Sequence, residues 1–165
     1  MNSKEINEIL RFCLTKQQWG GIFASDNIPF DICRKCNFGI ICNTETSEES
    51  GEHWIAIYMP REGHLEYFDS FGRYPHITNF ISFLNPKINS FQYNDVQIQS
   101  NTGITCGHFC ILFLLNRFMG VSFKEFISLF DIFNLKGNEA FAYDFVTSYA
   151  NKILNCKYYN NTAEI

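Results

Sequence analysis

Charged residues are sparse in this chain: Asp, Glu, Lys and Arg together make up 18%, against roughly 25% in an ordinary soluble domain. That excludes a largely disordered chain, which needs low hydrophobicity and high net charge. Basic excess is absent as well, since 13 Lys and Arg face 17 Asp and Glu, a formal charge of −4. Without clustered cations there is no electrostatic footprint for a phosphate backbone, and nucleic acid is not expected as a strong partner. No apolar run reaches the roughly 18 residues of a membrane-spanning helix, so no membrane partner is expected. Met1 to Glu5 lack the basic-then-apolar layout of a signal peptide, which predicts an intracellular, not a secreted, chain.

Paired cysteines are missing too. Seven, at positions 13, 33, 36, 42, 106, 110 and 156, are an odd number without framework spacing, so reduced thiols are expected. Cys33 and Cys36, with Cys42 beyond, supply half of a structural zinc site. A second close pair of Cys or His is lacking, and no metal is expected. There is no internal repeat and no low-complexity tract.

What the chain has in quantity is apolar bulk: 46% hydrophobic residues and 18 phenylalanines in 165. That suffices for one well-filled domain over 1–165, expected as a monomer, with an irregular tail at 156–165. Ile6, Ile9, Leu10, Cys13 and Leu14 recur at helical spacing and predict a helix near 3–16. Residues 19–37, rich in Gly, Pro, Asn and Asp, read as an ordered but irregular surface crossing. Residues 38–43 form a strand candidate, and 53–58 with 64–69 form a hairpin around 59–63. The run 53–58 is apolar almost throughout, as in a strand covered on both faces. A helix is expected over 75–85, a strand over 92–98, and helices over 106–119, 123–130 and 138–154. The predicted class is α+β, a mostly antiparallel central sheet flanked by helices.

The chemistry gathers where the polar loop from Gln99 delivers Cys106 to the start of an apolar helix. Unpaired N–H groups of a first helical turn favour negative charge, which pushes a thiol there toward the nucleophilic thiolate. A cysteine nucleophile needs a base, a group that orients the base, and donors for the developing oxyanion. His53 opens one strand and Asp69 closes its antiparallel partner, so the hairpin brings both to one end of the sheet. Asp69 can then fix the imidazole tautomer. Gln99, seven residues before Cys106, can aim its amide at the attacked carbonyl oxygen beside the Cys106 N–H, with Gln97 as a nearby decoy. Cys110, one turn beyond, is expected to pack inward. His64, His76 and His108 carry no signal beyond ordinary surface or packing roles.

The set Glu52-His53-Trp54, Tyr67 to Gly72, Gln99 and Thr105 to Cys110 resembles the adenovirus endopeptidase family, adenain, including its relatives in polinton-type transposons and other DNA viruses. The likeness extends from about residue 5 to 120, through Trp19 to Pro29 and Ile41 to Thr44. Its specific part is the order His, acid, Gln, Cys-Gly. The resemblance implies a papain-like cysteine protease fold in circularly rearranged order, related to proteases of ubiquitin-like proteins. It assigns His53 as base, Asp69 as orienting acid, Gln99 as oxyanion donor and Cys106 as nucleophile. Trp54 and Gly107 would line the substrate channel, narrow enough to prefer glycine beside the scissile bond. The acid is aspartate, as in the ubiquitin-like proteases, where adenain usually has glutamate.

Adenain is basic and is helped by DNA and a disulfide-linked peptide. This chain is acidic and has no cysteine around Ile88, so neither activator carries over from the likeness and no cofactor is expected. The implied substrates are precursor proteins of a virus or virus-like element, cut in the host nucleus or cytoplasm or within the particle. Rival readings are a protease of ubiquitin or a ubiquitin-like modifier, a catalytically silent peptide-binding domain and, more distantly, an acetyltransferase with the same residue types.

Overall fold

The computed structural model describes residues 1–29, 32, 37–62, 64–75 and 91–162, with side chains to residue 153. Cys33, Cys36, His76, Ile88 and nearly all of the helix expected over 75–85 lie outside the described residues. The first helix, α1 (Ser3–Cys13), opens on a capping box. Asn2 Oδ1 accepts from the Glu5 N–H at 3.0 Å and Glu5 Oε2 accepts from the Asn2 N–H at 2.7 Å, satisfying donors that a bare helix start leaves open. Its apolar stripe buries Ile6, Ile9 and Leu10.

Five strands follow, β1 (Trp19–Phe23), β2 (Phe38–Asn43), β3 (Trp54–Met59), β4 (Leu65–Phe68) and β5 (Phe91–Tyr93), side by side in chain order. The sheet is mixed where a mostly antiparallel one was expected. The inner pairings β2 to β3 and β3 to β4 are antiparallel, and the outer ones, β1 to β2 and β4 to β5, are parallel. Two corrections account for the difference. Trp19–Phe23, read as irregular because of Gly20 and Gly21, is an edge strand paired to β2, and the strand expected over 92–98 is confined to Phe91–Tyr93. The parallel joins need long crossovers, and the chain from Phe23 to Phe38 and from Phe68 to Phe91 supplies them.

Alternation along the strands splits the interior in two. Ile41, Ala56, Tyr58 and Phe68 face the helices, whereas Phe38, Ile40, Cys42, Ile55, Ile57, Leu65 and Tyr67 pack with Ile32 on the other face. Strands covered on both sides read as continuous apolar runs, as residues 53–58 do. On the helical side α2 (Cys106–Phe118) is buried from Cys106 to Asn116, apolar nearly all round. α3 (Phe123–Ile127) starts at a Ser122 and Glu125 capping box, and α4 (Leu135–Thr162) runs beyond the expected 138–154 at both ends. Among the described residues no helix is long and apolar enough to cross a membrane.

Candidate active site

The carboxyl ends of β1, β2, β4 and β5 and the amino end of β3 meet at one end of the sheet, as their pairing directions require. There β3 and β4 set two residues against each other. Ala56 lies opposite Phe68, and the same register carried outward puts His53 across from Phe71 and diagonal to Asp69. The His53 and Phe71 rings pack with centroids 4.5 Å apart. His53 Nε2 lies 2.7 Å from Asp69 Oδ1, with the two residues only 8% and 3% exposed. The hairpin argument from sequence thus places this pair.

Asp69 is itself held from several directions. Its N–H donates to Asn94 Oδ1 at 3.0 Å, and Asn94 Nδ2 donates back to the Asp69 carbonyl at 2.5 Å and to the Val96 carbonyl at 3.1 Å. The Phe71 N–H donates to Asp69 Oδ1 at 2.8 Å. The turn closes at Gly72, whose φ of +69° is a left-handed conformation, and a Cβ there would run into the Val96 and Gln97 backbone.

Cys106 opens α2, as its loop-then-apolar sequence predicts. Thr105 before it makes no side-chain cap, which leaves first-turn N–H groups of α2 uncapped by that side chain. The thiol lies beside the His53 ring and the backbone N–H groups of Trp54 and Gly107, all of which favour its ionised form. Because Asp69 occupies Nε2, the nitrogen left for the thiol is Nδ1. Three of the four expected side chains therefore share one contact chain: Asp69, His53, Cys106.

The fourth, Gln99, is fully buried at the same corner. Ser70, next to Asp69, donates its hydroxyl to Gln99 Oε1 at 2.7 Å, and the Ile98 and Gln99 N–H groups both donate to the Ser70 carbonyl. Gln99 Nε2 donates to the Gly103 carbonyl at 2.8 Å, which engages one of the two amide protons. Gln97, the decoy, supports this loop through bonds from its Nε2 to the Gln99 carbonyl and to Asn101 Oδ1. Trp54 and Gly107 adjoin Cys106 in the structure. Trp54 Nε1 donates to the Met1 carbonyl at 3.3 Å, and a Cβ on Gly107 would press on Ile6 at 3.2 Å and on the Trp54 ring at 3.3 Å.

Electrostatics polarise the pair. Burial pulls the His53 pKa down, but hydrogen bonding to Asp69 and Cys106 and their negative charges outweigh it and raise the value to about 9. Burial pushes the Cys106 thiol up, yet His53 and the Trp54 and Gly107 N–H groups bring it below the ordinary thiol value. Opposite charge favours the ionised form of each, so the arrangement favours a thiolate beside an imidazolium. Cys110, only one turn away, is the contrast. Burial drives its thiol far up, and its Sγ–H donates to the Trp54 carbonyl at 3.3 Å. Burial also holds His108 neutral, with a pKa lowered to about 4, against the Tyr143 ring. An activated sulfur with a charged imidazole can attack a carbonyl and protonate a leaving group.

Sequence reasoning missed Asn94, and it gave Ser70 and Phe71, though part of the motif Tyr67 to Gly72, no role of their own. Their roles are long-range hydrogen bonds and ring contacts; a lone Asn beside Asp95 reads only as a turn residue.

No protein-family model matches the chain. It is similar to two cysteine proteases of African swine fever virus: the "SUMO-1 cysteine protease S273R" of a South African tick isolate and the "Cysteine protease S273R" of the Badajoz strain. Each is 27% identical over 108 residues, 58% of this chain and 39% of the relative, so the match spans about two fifths of those relatives' length. Among solved structures, the ASFV pS273R protease superposes with a TM-score of 0.57 at 20% identity, covering 78% of this chain and 61% of that one. Its selenomethionine form gives 0.53 over 86% and 66%. The fold is therefore that of a viral cysteine protease, the α+β class expected.

Proposed function

We propose that this chain is a cysteine endopeptidase with Cys106 as nucleophile, His53 as acid and base, Asp69 as the orienting carboxylate and Gln99 as an oxyanion donor. The observation that carries the reading is the buried His53 imidazole joined through Nε2 to Asp69 at 2.7 Å, with the Cys106 thiol at the start of α2 beside that ring and brought down by it. The Cys106 thiolate adds to the peptide carbonyl carbon, and the carbonyl electron pair moves to oxygen, where the Cys106 N–H and the Gln99 amide stabilise it. Collapse of this adduct breaks the C–N bond, and the imidazolium hands its proton to the departing amine. A thioester remains. His53 then takes a proton from water as the oxygen attacks, and the returning thiolate releases the acid product.

Precursor proteins of a virus or virus-like element are the substrates this reading favours, cut beside glycine and processed in the adenain manner. The supporting features are the residue order shared with that family, the similarity to African swine fever virus proteases, and the Trp54 ring resting on Gly107 beside the nucleophile. A second reading, removal of a ubiquitin-like modifier, is favoured by the similarity to a relative named a SUMO-1 cysteine protease. The two separate in one experiment, with a quenched-fluorescent Gly-Gly peptide and a Gly-Gly-ended SUMO-type fusion offered in parallel. Cleavage of the fusion with a far lower KM than the peptide supports the modifier reading; equal KM values support short-motif processing. Cys106→Ala should lower turnover by about a thousandfold or more with unchanged circular dichroism. Retained turnover in that variant rejects the proposal.

A further inference from the structure

The loop that carries Gln99 and delivers Cys106 is gripped from α4, by two consecutive side chains about forty residues away. Asn138 Nδ2 donates to the Ile98 carbonyl at 3.1 Å and to the Asp131 carbonyl at 2.9 Å, while its Oδ1 accepts from the Asp131 N–H at 3.1 Å. Glu139 Oε1 accepts from the Ser100 N–H at 2.8 Å and from the Ser100 hydroxyl at 2.5 Å, and its Oε2 accepts from Lys136 at 3.0 Å. The residues on either side of Gln99 are therefore each fastened to the same helix. Both anchors are buried, 6% and 8% exposed, where a hydrogen bond is hard to replace with water. The fit is close: a side chain on Gly103 would strike the Glu139 carboxylate and come within 3.1 Å of Gln99 Nε2. Burial pushes the Glu139 carboxyl up, but the bonds from Ser100 and Lys136 outweigh it and keep it ionised as an acceptor.

We infer that Asn138 and Glu139 are positioning residues, fixing the Gln99 amide and the turn before Cys106 so that the developing oxyanion meets preorganised donors. This rests on the protease reading above. Neither residue need touch substrate; each acts through the backbone of the loop, where small displacements of a donor cost much of its effect. Holding Cys106 as a thiolate depends on His53 and local N–H groups instead. The two functions can be separated experimentally, because alkylation by iodoacetamide displaces iodide at a saturated carbon and forms no oxyanion.

The test compares hydrolysis of the Gly-Gly peptide with the iodoacetamide labelling rate of Cys106, in the full chain and its variants. Glu139→Ala should lower kcat about tenfold or more while KM and the labelling rate stay within about twofold. Glu139→Gln, which keeps an acceptor oxygen for Ser100, should recover most of that loss. If Glu139→Ala fails to fold, Ser100→Ala, lacking only the hydroxyl arm, should still lower kcat about threefold or more without slowing labelling. Unchanged kcat overturns the inference, and so does a loss of kcat matched by an equal loss of labelling, which marks a merely structural role. Cleavage by the unaltered chain, abolished in Cys106→Ala, is the separate control. If it fails, the protease reading falls; if it holds, only the α4 grip is at stake.

Discussion

At the scale of single residues, His53 governs the site because it is charged when an ordinary histidine would be neutral. Bonding to Asp69 and Cys106 raises its pKa to about 9, and His53 in turn lowers that of Cys106, so each favours the ionised form of the other. Hydrolysis should rise as Cys106 ionises, below the ordinary thiol value near 8.5, and fall as pH passes about 9 and His53 loses the proton it owes the leaving amine. Iodoacetamide labelling of Cys106 should rise on the same acid limb and stay high above 9, since the thiolate persists without its acid. Coincident alkaline falls in both rates would refute the assignment of His53 as proton donor. Asn94 acts one step further out, holding both backbone groups of Asp69. Replacing it by Ala frees the carboxylate to turn from the ring and leaves buried groups unpaired, so kcat should drop about tenfold or more, alongside a stability loss of about 1–3 kcal/mol in urea titration.

At the scale of elements, a part-buried ion pair ties the far end of α2 to the sheet. Arg117 Nε and Nη2 meet the Glu66 carboxylate at 2.6 and 2.9 Å, Arg117 Nη1 donates to the Val121 carbonyl, and the guanidinium lies over the Tyr58 ring at 4.9 Å. Burial raises the Glu66 pKa despite Arg117, which shows the desolvation the pair bears. Arg117→Met alone should destabilise by about 3–5 kcal/mol, and adding Glu66→Leu should restore most of it. A double variant no more stable than the single one would contradict this. Elements also show what a sequence reveals. α1, β2, the β3 to β4 hairpin and α2 were legible because their apolar periods match their geometry. β1 was not, because Gly20 and Gly21 read as breakers, and only pairing with β2 makes those residues a strand.

At the scale of the whole molecule, the helical half of the interior is a phenylalanine stack. Phe113 lies flat against Phe68 at 4.7 Å and edge-on to Phe123 and Phe126 at 5.4 and 5.3 Å. Phe113→Ala should cost about 3–5 kcal/mol, lowering Tm by about 10 °C; a shift of a degree or two would show that the stack is not central. The candidate site was legible for a related reason: His53, Asp69 and Cys106 each stand at an element's end, so topology alone could gather them. Asn94, Asn138 and Glu139 could not be found that way, since their partners lie 25 to 40 positions off and nothing local marks them. Cys106, by contrast, is the first residue of a helix enclosed from its opening turn to Asn116. The sulfur is thus fixed to an enclosed core helix, the kind of element that opens only when the whole domain does. Heat should therefore extinguish catalysis and near-UV dichroism at the same temperature, with no dead but still folded species in between.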